Sequence, residues 1–277
     1  MPVLEKKILT SATQKIAIPS FAGLKKPTYV NFLGDSRSQL KIKRILSPDK
    51  DKLATLVEAL CHIGNQPGII FCNFKESLAR VSESLSIQGI DHECFHGGME
   101  QLDRERALVK FRNGSIQLLL ATDLAARGLD IPEIKFILHY QLPPHLKEFT
   151  HRNGRTARMN REGVSYILQW KGEQLPNFTQ ELEAKEVNIK NQDGTPPSTS
   201  KKWETLYITG GRRDKISKGD IAGLFLKQGQ IHKDQLGVIE LQQTCAYAGV
   251  QSEVAEMVIE KTNNSKLKKK KVRISLI

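Results

Sequence analysis

The octapeptide HRNGRTAR, residues 151 to 158, sets three arginines, Arg152, Arg155 and Arg158, at intervals of three. On a helix that interval lines side chains along one face. Guanidinium groups are planar, permanently charged forks, and a row of them suits the oxygens of a phosphoryl group in transfer, where catalysis consists largely of positioning and charge neutralisation. An ordinary basic helix surface has the same pattern, so the octapeptide alone leaves both readings open. Upstream, LLLATDLAARGLDI runs an apolar strand into Thr122 and Asp123, then small Ala125 and Ala126, then Arg127, Gly128 and Asp130. Ligands of open parallel sheets gather beyond the carboxyl ends of the strands. A hydroxyl and main-chain amides there can hold a nucleic-acid phosphate, and a carboxylate can accept from ribose hydroxyls.

The elements that must position these groups are legible as alternating patterns. Between Leu40 and Leu182, GIIFCN, DHECFH, IQLLLAT, KFILHY and VSYILQW read as strands buried on both faces. Between them lie helical stretches such as FKESLARVSESLSIQG and EQLDRERALVKFRNG, expected to stop at Gly89 and Gly114. Strand, helix, strand in repetition predicts a parallel sheet with helices on both faces, built by right-handed crossovers.

VNIKNQDGTPPSTSKK, from Val187 to Lys202, is polar, contains proline and has no periodicity, which predicts a linker. Beyond it ETLYITG, SKGDIAGLFLKQG, LGVIELQ, CAYAGV, SEVAEMVIEK and KVRISLI predict the order βαββαβ, a small α+β domain. Alternation puts Tyr207, Tyr247 and Arg273 on one sheet face if Leu206, Ile208 and Ile274 face the helices. Such rings either stack bases or are simply strand filler. The first 34 residues read as two strands and one helical turn, too little to bury a core, and so as the tail of a preceding domain.

The chain of 277 residues carries a net charge of +12, and from Lys202 onward 14 basic residues face 8 acidic ones, half of that surplus. A polyanionic partner, nucleic acid first, is the expectation, because basic side chains that displace counterions from phosphate gain binding entropy. The four cysteines are irregularly spaced, without a CxxC pair, so neither a disulfide framework nor a zinc ribbon is expected. His92, Cys94 and His96 alternate in HECFH, but no second ligand pair follows at finger spacing, and we expect no metal there. No apolar run approaches the roughly 18 residues that span a bilayer, and MPVLEKKILT lacks the apolar core of a signal peptide. A cytoplasmic protein without a membrane role is expected.

The motifs together resemble the C-terminal part of a DEAD-box RNA helicase: SAT at Ser11 to Thr13, GIIFCN at Gly68 to Asn73, HGGMEQLDRERALVKFRNG from His96, ATDLAARGLD from Ala121, and HRNGRTAR, in family order. The resemblance implies a RecA-like domain over residues 35–186, with 1–34 the tail of a first RecA-like domain. It implies that Arg155 and Arg158 reach the γ-phosphate of ATP, Arg158 as arginine finger, with Asp130 on the nucleotide ribose and Arg127 and Gly128 beside it. Asn73, Gly98, Arg104 and Thr122 occupy positions of the family's RNA-backbone contacts. Asn153 departs from the usual apolar or small residue at its position. No G-x-x-x-x-G-K-[ST] and no acidic tetrapeptide of the family occur in the chain. ATP and Mg²⁺ would therefore be held mainly by a first domain, and this chain alone is expected to bind RNA without hydrolysing ATP.

After a linker over 187–201, residues 202–277 resemble the RRM-like RNA-binding domain of the bacterial DbpA family. Arg212, Arg213, Lys215 and Lys218 are the basic patch implied beside its sheet, and Lys268, Lys269, Lys270 and Lys271 a second. That family implies a hairpin of large-subunit ribosomal RNA as the target, and the pre-ribosomal large subunit and the absent first domain as partners. A stand-alone RNA-binding module without remodelling activity is the competing reading, and a DNA helicase is disfavoured by the RNA-type small domain.

Overall fold

Buried parallel strands need both faces covered, and the two apolar registers of this chain supply two separate layers of helix. The computed structural model describes residues 40–123, 134–156, 162–189 and 202–277, together with Leu9, Gly23, Thr28 and Val30. Residues 38–277 form one unit, and the fold below is that unit's. Ser11 to Thr13 lie outside the described residues.

The larger domain runs β1 (Leu40–Ser47), α1 (Leu53–Ile63), β2 (Gly68–Phe71), α2 (Lys75–Ile87), β3 (Glu93–Phe95), α3 (Gln101–Asn113), β4 (Leu118–Ala121), β5 (Phe136–His139), α4 (Leu146–Asn153), β6 (Gly163–Trp170) and β7 (Lys185–Glu186). Among the described residues the strands make one parallel sheet in the order β3-β4-β2-β5-β6-β1-β7. Alternation sorts the side chains: Ile70, Leu120 and Leu138 pack under α1 and α2, while Ile69, Phe71, Leu119, Ala121 and Ile137 pack under α3. Helices α2 and α3 stop where expected, with Gly89 at φ 67° and Gly114 at φ 77°, left-handed positions that glycine takes without strain. Val187 and Ile189 still pack on the first of these cores, and residues 190–201 are outside the described set.

Two elements differ from the sequence reading. Strand β1 was not among the expected strands because LKIKRILS mixes basic residues into its apolar ones, yet it pairs with β6 over its whole length and buries Ile45 completely. The helix through HRNGRTAR ends early. Gly154 caps α4 after Asn153, Arg155 lies in the following turn, and Thr156 bridges to Ile134, its hydroxyl donating to the Ile134 carbonyl at 2.6 Å. Arg152 and Arg155 therefore do not share a helix face, and Arg158 lies outside the described residues.

The small domain contains β8 (Trp203–Ile208), α5 (Lys218–Gly223), β9 (Leu236–Leu241), β10 (Ala246–Gln251), α6 (Ser252–Thr262), a hairpin of β11 (Lys266–Leu267) and β12 (Lys270–Lys271), and β13 (Ile274–Leu276). Its sheet is antiparallel in the order β13-β8-β10-β9. Ser217 starts α5 with a reciprocal cap: its hydroxyl accepts from the Asp220 amide, and the Asp220 carboxylate accepts from the Ser217 amide. Leu206, Ile208, Ala246, Ala248, Val250 and Ile274 cover the helices, which leaves Tyr207 and Tyr247 on the opposite face, paired across β8 and β10 as the alternation predicted. Lys268, at φ 56°, sits in the turn of the lysine hairpin.

Candidate functional site

Strands β2, β4 and β5 deliver Asn73, Asp123 and Gln141 to one end of the sheet, and Arg152 of α4 joins all three. Its Nε and Nη2 donate to the two oxygens of Asp123, each at 2.6 Å, Nη1 donates to the Gln141 carbonyl at 2.7 Å, and Nη2 also donates to Asn73 Oδ1 at 2.8 Å. The guanidinium lies over the Phe71 ring at 4.9 Å, and the side chain is 1% exposed. Arg152, counted among the phosphate-facing arginines in the sequence, is thus a buried brace. A buried ion pair contributes little net stability over an apolar replacement, but removing one partner strands the other charge and costs about 3–5 kcal/mol.

His139 is wholly buried beneath it, stacked between Phe71 and Phe149. Arg152 can only donate, so His139 Nδ1, 3.5 Å from Arg152 Nη1, accepts, and Nε2 carries the proton toward Asn153 Oδ1 at 3.2 Å. Ser165 donates to the same oxygen at 2.8 Å. Asn153 therefore sets the histidine tautomer and ties α4 to β6. Burial first, and the Arg152 charge second, push the His139 pKa down to about 3.

Of the expected RNA contacts, Asn73 is part of this brace and Thr122 precedes its Asp123 in the chain. Asn73 has its amide engaged at both ends, Nδ2 donating to the Leu142 carbonyl at 2.8 Å and Oδ1 accepting from Arg152, so it fixes the turn after β2. Thr122 is buried, and its amide donates to the Phe95 carbonyl. Gly98 is exposed, its amide donating to His96 Nδ1 at 3.2 Å, and a Cβ built on it would lie 2.7 Å from Lys75 Nζ. Arg104 donates to Gln101 on the exposed side of α3 at 2.6 Å. Arg127, Gly128 and Asp130 lie outside the described residues.

The small domain meets the larger one through α3. Val109, fully buried, packs on Cys245 and Tyr247, with Tyr207 and Ile277 beside them. Arg112 forms a forked pair with Glu240 at 2.7 and 2.9 Å, and Thr205 meets Ser115 at 2.5 Å and Asn113 at 3.3 Å. Tyr247 is 0% exposed, and burial raises its hydroxyl pKa to about 12. This corrects the base-stacking expectation for Tyr247: a side chain of α3 occupies the place a base would take. Tyr207 is half-buried, 5.6 Å from Tyr247 between ring centres, while Arg273 remains exposed.

The two basic patches are joined. The turn from Gly211 to Asp214 docks on the β9–β10 connection, with the amides of Arg212 and Arg213 donating to the carbonyls of Gln242 and Gln243. Asp214 then pairs with Lys270 at 3.1 Å and Asp220 with Lys268 at 3.0 Å. The result is one surface that exposes Arg212, Arg213, Lys215, Lys218, Lys268, Lys269 and Lys271. Among the described residues no group of three or more His, Cys, Asp or Glu side chains could hold a metal. Among them too, no helix is long and apolar enough to cross a membrane.

Sequence reasoning missed the brace. The usable signal was His139 within KFILHY, since a polar side chain in a strand buried on both faces needs partners, and α4 supplies them.

Residues 51–160 match the helicase conserved C-terminal domain, and residues 205–276 match the DbpA RNA binding domain. The chain is 29% identical over 286 residues to the ATP-dependent RNA helicase DbpA of Escherichia coli (strain K12), covering 100% of this chain and 62% of that protein. It is 26% identical over 252 residues to the ATP-dependent RNA helicase DbpA of Bacillus subtilis (strain 168), covering 82% of this chain and 53% of that protein. A solved structure of the E. coli DEAD-box protein SrmB bound to regulator of ribonuclease activity A aligns with a TM-score of 0.51 and 28% identity, over 57% of this chain and 98% of that one. Fold and sequence thus both liken the larger domain to a helicase C-terminal domain, of the kind seen in the DEAD-box protein SrmB. With the second match in place, the chain is similar to the C-terminal part of DbpA-type helicases. It spans between about half and six-tenths of the length of those two relatives.

Two outcomes follow from this geometry. His139 titrates near 6.5 when unfolded and near 3 when folded, so between those values the unfolded chain binds a proton that the folded chain excludes. Its contribution is fully present above pH 6.5 and falls by up to about 1.4 kcal/mol per pH unit below it. Denaturant midpoints at pH 7.5 and 5.5 should therefore drop less in His139→Asn than in the unaltered chain. For the interface, Arg112→Glu should loosen the small domain from α3, seen as raised hydrogen exchange in β10, and Glu240→Arg in the same chain should restore protection. Equal exchange in single and double variants would show that the ion pair does not hold the domains.

Proposed function

We propose that the chain is the RNA-targeting and arginine-bearing part of an ATP-dependent RNA helicase, and that its small domain grips a hairpin of large-subunit ribosomal RNA so that the helicase remodels nearby structure during subunit assembly. The observation that carries this reading is the single basic surface made by the Arg212–Lys218 segment and the lysine hairpin, held in shape by Asp214 and Asp220. Lysine and arginine side chains on a fixed frame supply phosphate contacts, while the shape of that frame selects a folded RNA over a flexible one. With Tyr247 covered by α3, the sheet face contributes to domain docking and the basic edge contributes to RNA.

In the larger domain, Arg155 follows the braced Arg152 by three residues and is the described member of the pair that the resemblance points toward ATP, Arg158 being the other. A first domain bearing the phosphate loop and Mg²⁺ carboxylates would complete the site. Arg155 would then neutralise charge on the γ-phosphate while Asp130, Arg127 and Gly128 hold the nucleoside side. On this reading the protein works in the cytoplasm on pre-ribosomal particles and is inactive as an ATPase by itself.

Binding to a ribosomal hairpin and to a scrambled hairpin of equal length, across a salt series, tests the targeting. A preference of about tenfold, or 1.4 kcal/mol, that survives rising salt supports it. Equal affinities with one steep salt slope would reduce the surface to an electrostatic anchor and favour the plain RNA-binding module. Adding a separately expressed first domain should produce RNA-stimulated ATPase, and Arg155→Ala should abolish that activity while hairpin affinity stays within about twofold. Parallel losses in both would remove Arg155 from the nucleotide site.

A further inference from the structure

Phe74 is out of place for its position. It occupies the N-cap of α2, where Ser, Thr, Asp or Asn ordinarily satisfies a free amide, and it makes no capping hydrogen bond. Phe74 is 61% exposed, and among the described residues no other Phe, Tyr or Trp is left exposed. The turn that displays it is rigid. The Asn73 amide donates to Gln141 Oε1 at 2.9 Å, and its side chain is held by Leu142 and Arg152. Phe74 is thus displayed from a braced strand end, where little backbone freedom is left to lose on binding.

Its neighbours have the chemistry of a phosphate chain. Lys75 follows directly, and its ammonium fills the space over Gly98, where a Cβ would collide with it. Gly97 and Gly98 leave their backbone open to solvent. An exposed ring flanked by a cation and a bare glycine turn matches one occupant: a single-stranded nucleic acid whose base lies on the ring and whose phosphate meets Lys75.

We propose that Phe74 is a base-stacking residue of the helicase domain, with Lys75 as the adjoining phosphate contact. This rests on reading the strand-end surface around Gly98, Arg104 and Thr122 as the path of RNA. It adds a contact to the bases themselves, tolerant of sequence because every base offers a π-face.

The test uses the full chain with unlabelled hairpin saturating the small domain, and measures binding of a labelled short oligo(A) and of the same strand with abasic positions. Phe74→Ala should weaken oligo(A) by about tenfold and leave the abasic strand unchanged, while Phe74→Trp retains tight binding. Lys75→Ala should weaken both strands alike. If Phe74→Ala leaves oligo(A) affinity intact, or weakens both strands equally, the stacking role is overturned, although loss on Arg104→Ala would still uphold the RNA path. An oligo(A) that fails to bind the unaltered chain overturns both.

Discussion

The larger domain depends on one buried charge. Arg152 pairs with Asp123, and the pair spans the ends of β2, β4 and β5 together with α4. Water cannot reach the guanidinium, so every donor must find a fixed acceptor, and the acceptors it uses come from segments far apart in sequence. That requirement forces the turns after three strands into register. Apolar packing alone would leave those turns free to shift, because burial energy has no direction. The buried His139 follows from the same logic: a neutral imidazole fills the space between Phe71, Phe149 and Arg152 and gives Asn153 a donor to receive.

The parts of the fold that were legible in the sequence are those governed by local rules. GIIFCN, IQLLLAT and KFILHY announce doubly buried strands because each presents an unbroken apolar run, and Gly89 and Gly114 announce helix ends because their backbone turns left-handed. Strand β1 was hidden because its position beside the short β7 permits Lys41, Lys43 and Arg44 among the apolar residues. HRNGRTAR misled for a different reason. A spacing of three implies a shared face only while the helix lasts, and Gly154 ends it between Arg152 and Arg155. Which arginine is buried then depends on where Asp123 sits, a tertiary fact that no periodicity carries.

The small domain shows the same division. Alternation put Tyr207 and Tyr247 on one face and Leu206, Ile208 and Ile274 on the other, and both assignments hold. What covers the tyrosine face was not legible, because the covering helix belongs to another domain some 90 residues earlier, as the Ser115 to Thr205 contact measures. Charge counting found two basic segments but could not join them; Asp214 and Asp220 do, each reaching from the first segment to the second.

Helix α3 carries the contacts between the two domains. Its first turns carry Gln101 and Arg104 beside the exposed Gly98 turn, and its last turns carry Val109, Arg112 and Asn113 under the small sheet. A helix of this length transmits displacement with little bending, since each backbone amide along it is bonded to the next turn. On the proposed reading, a hairpin gripped at the basic edge and a single strand lying along the strand ends are therefore held at a fixed separation and angle. The target is then defined by two sites at once: the small domain supplies recognition, and the rigid offset through α3 selects which neighbouring segment of RNA reaches Phe74 and Lys75. Flexible tethering would give the same affinity for the hairpin but would spread the second contact over many segments, so on that reading the buried Tyr247 would serve selectivity through its position under α3 without touching RNA.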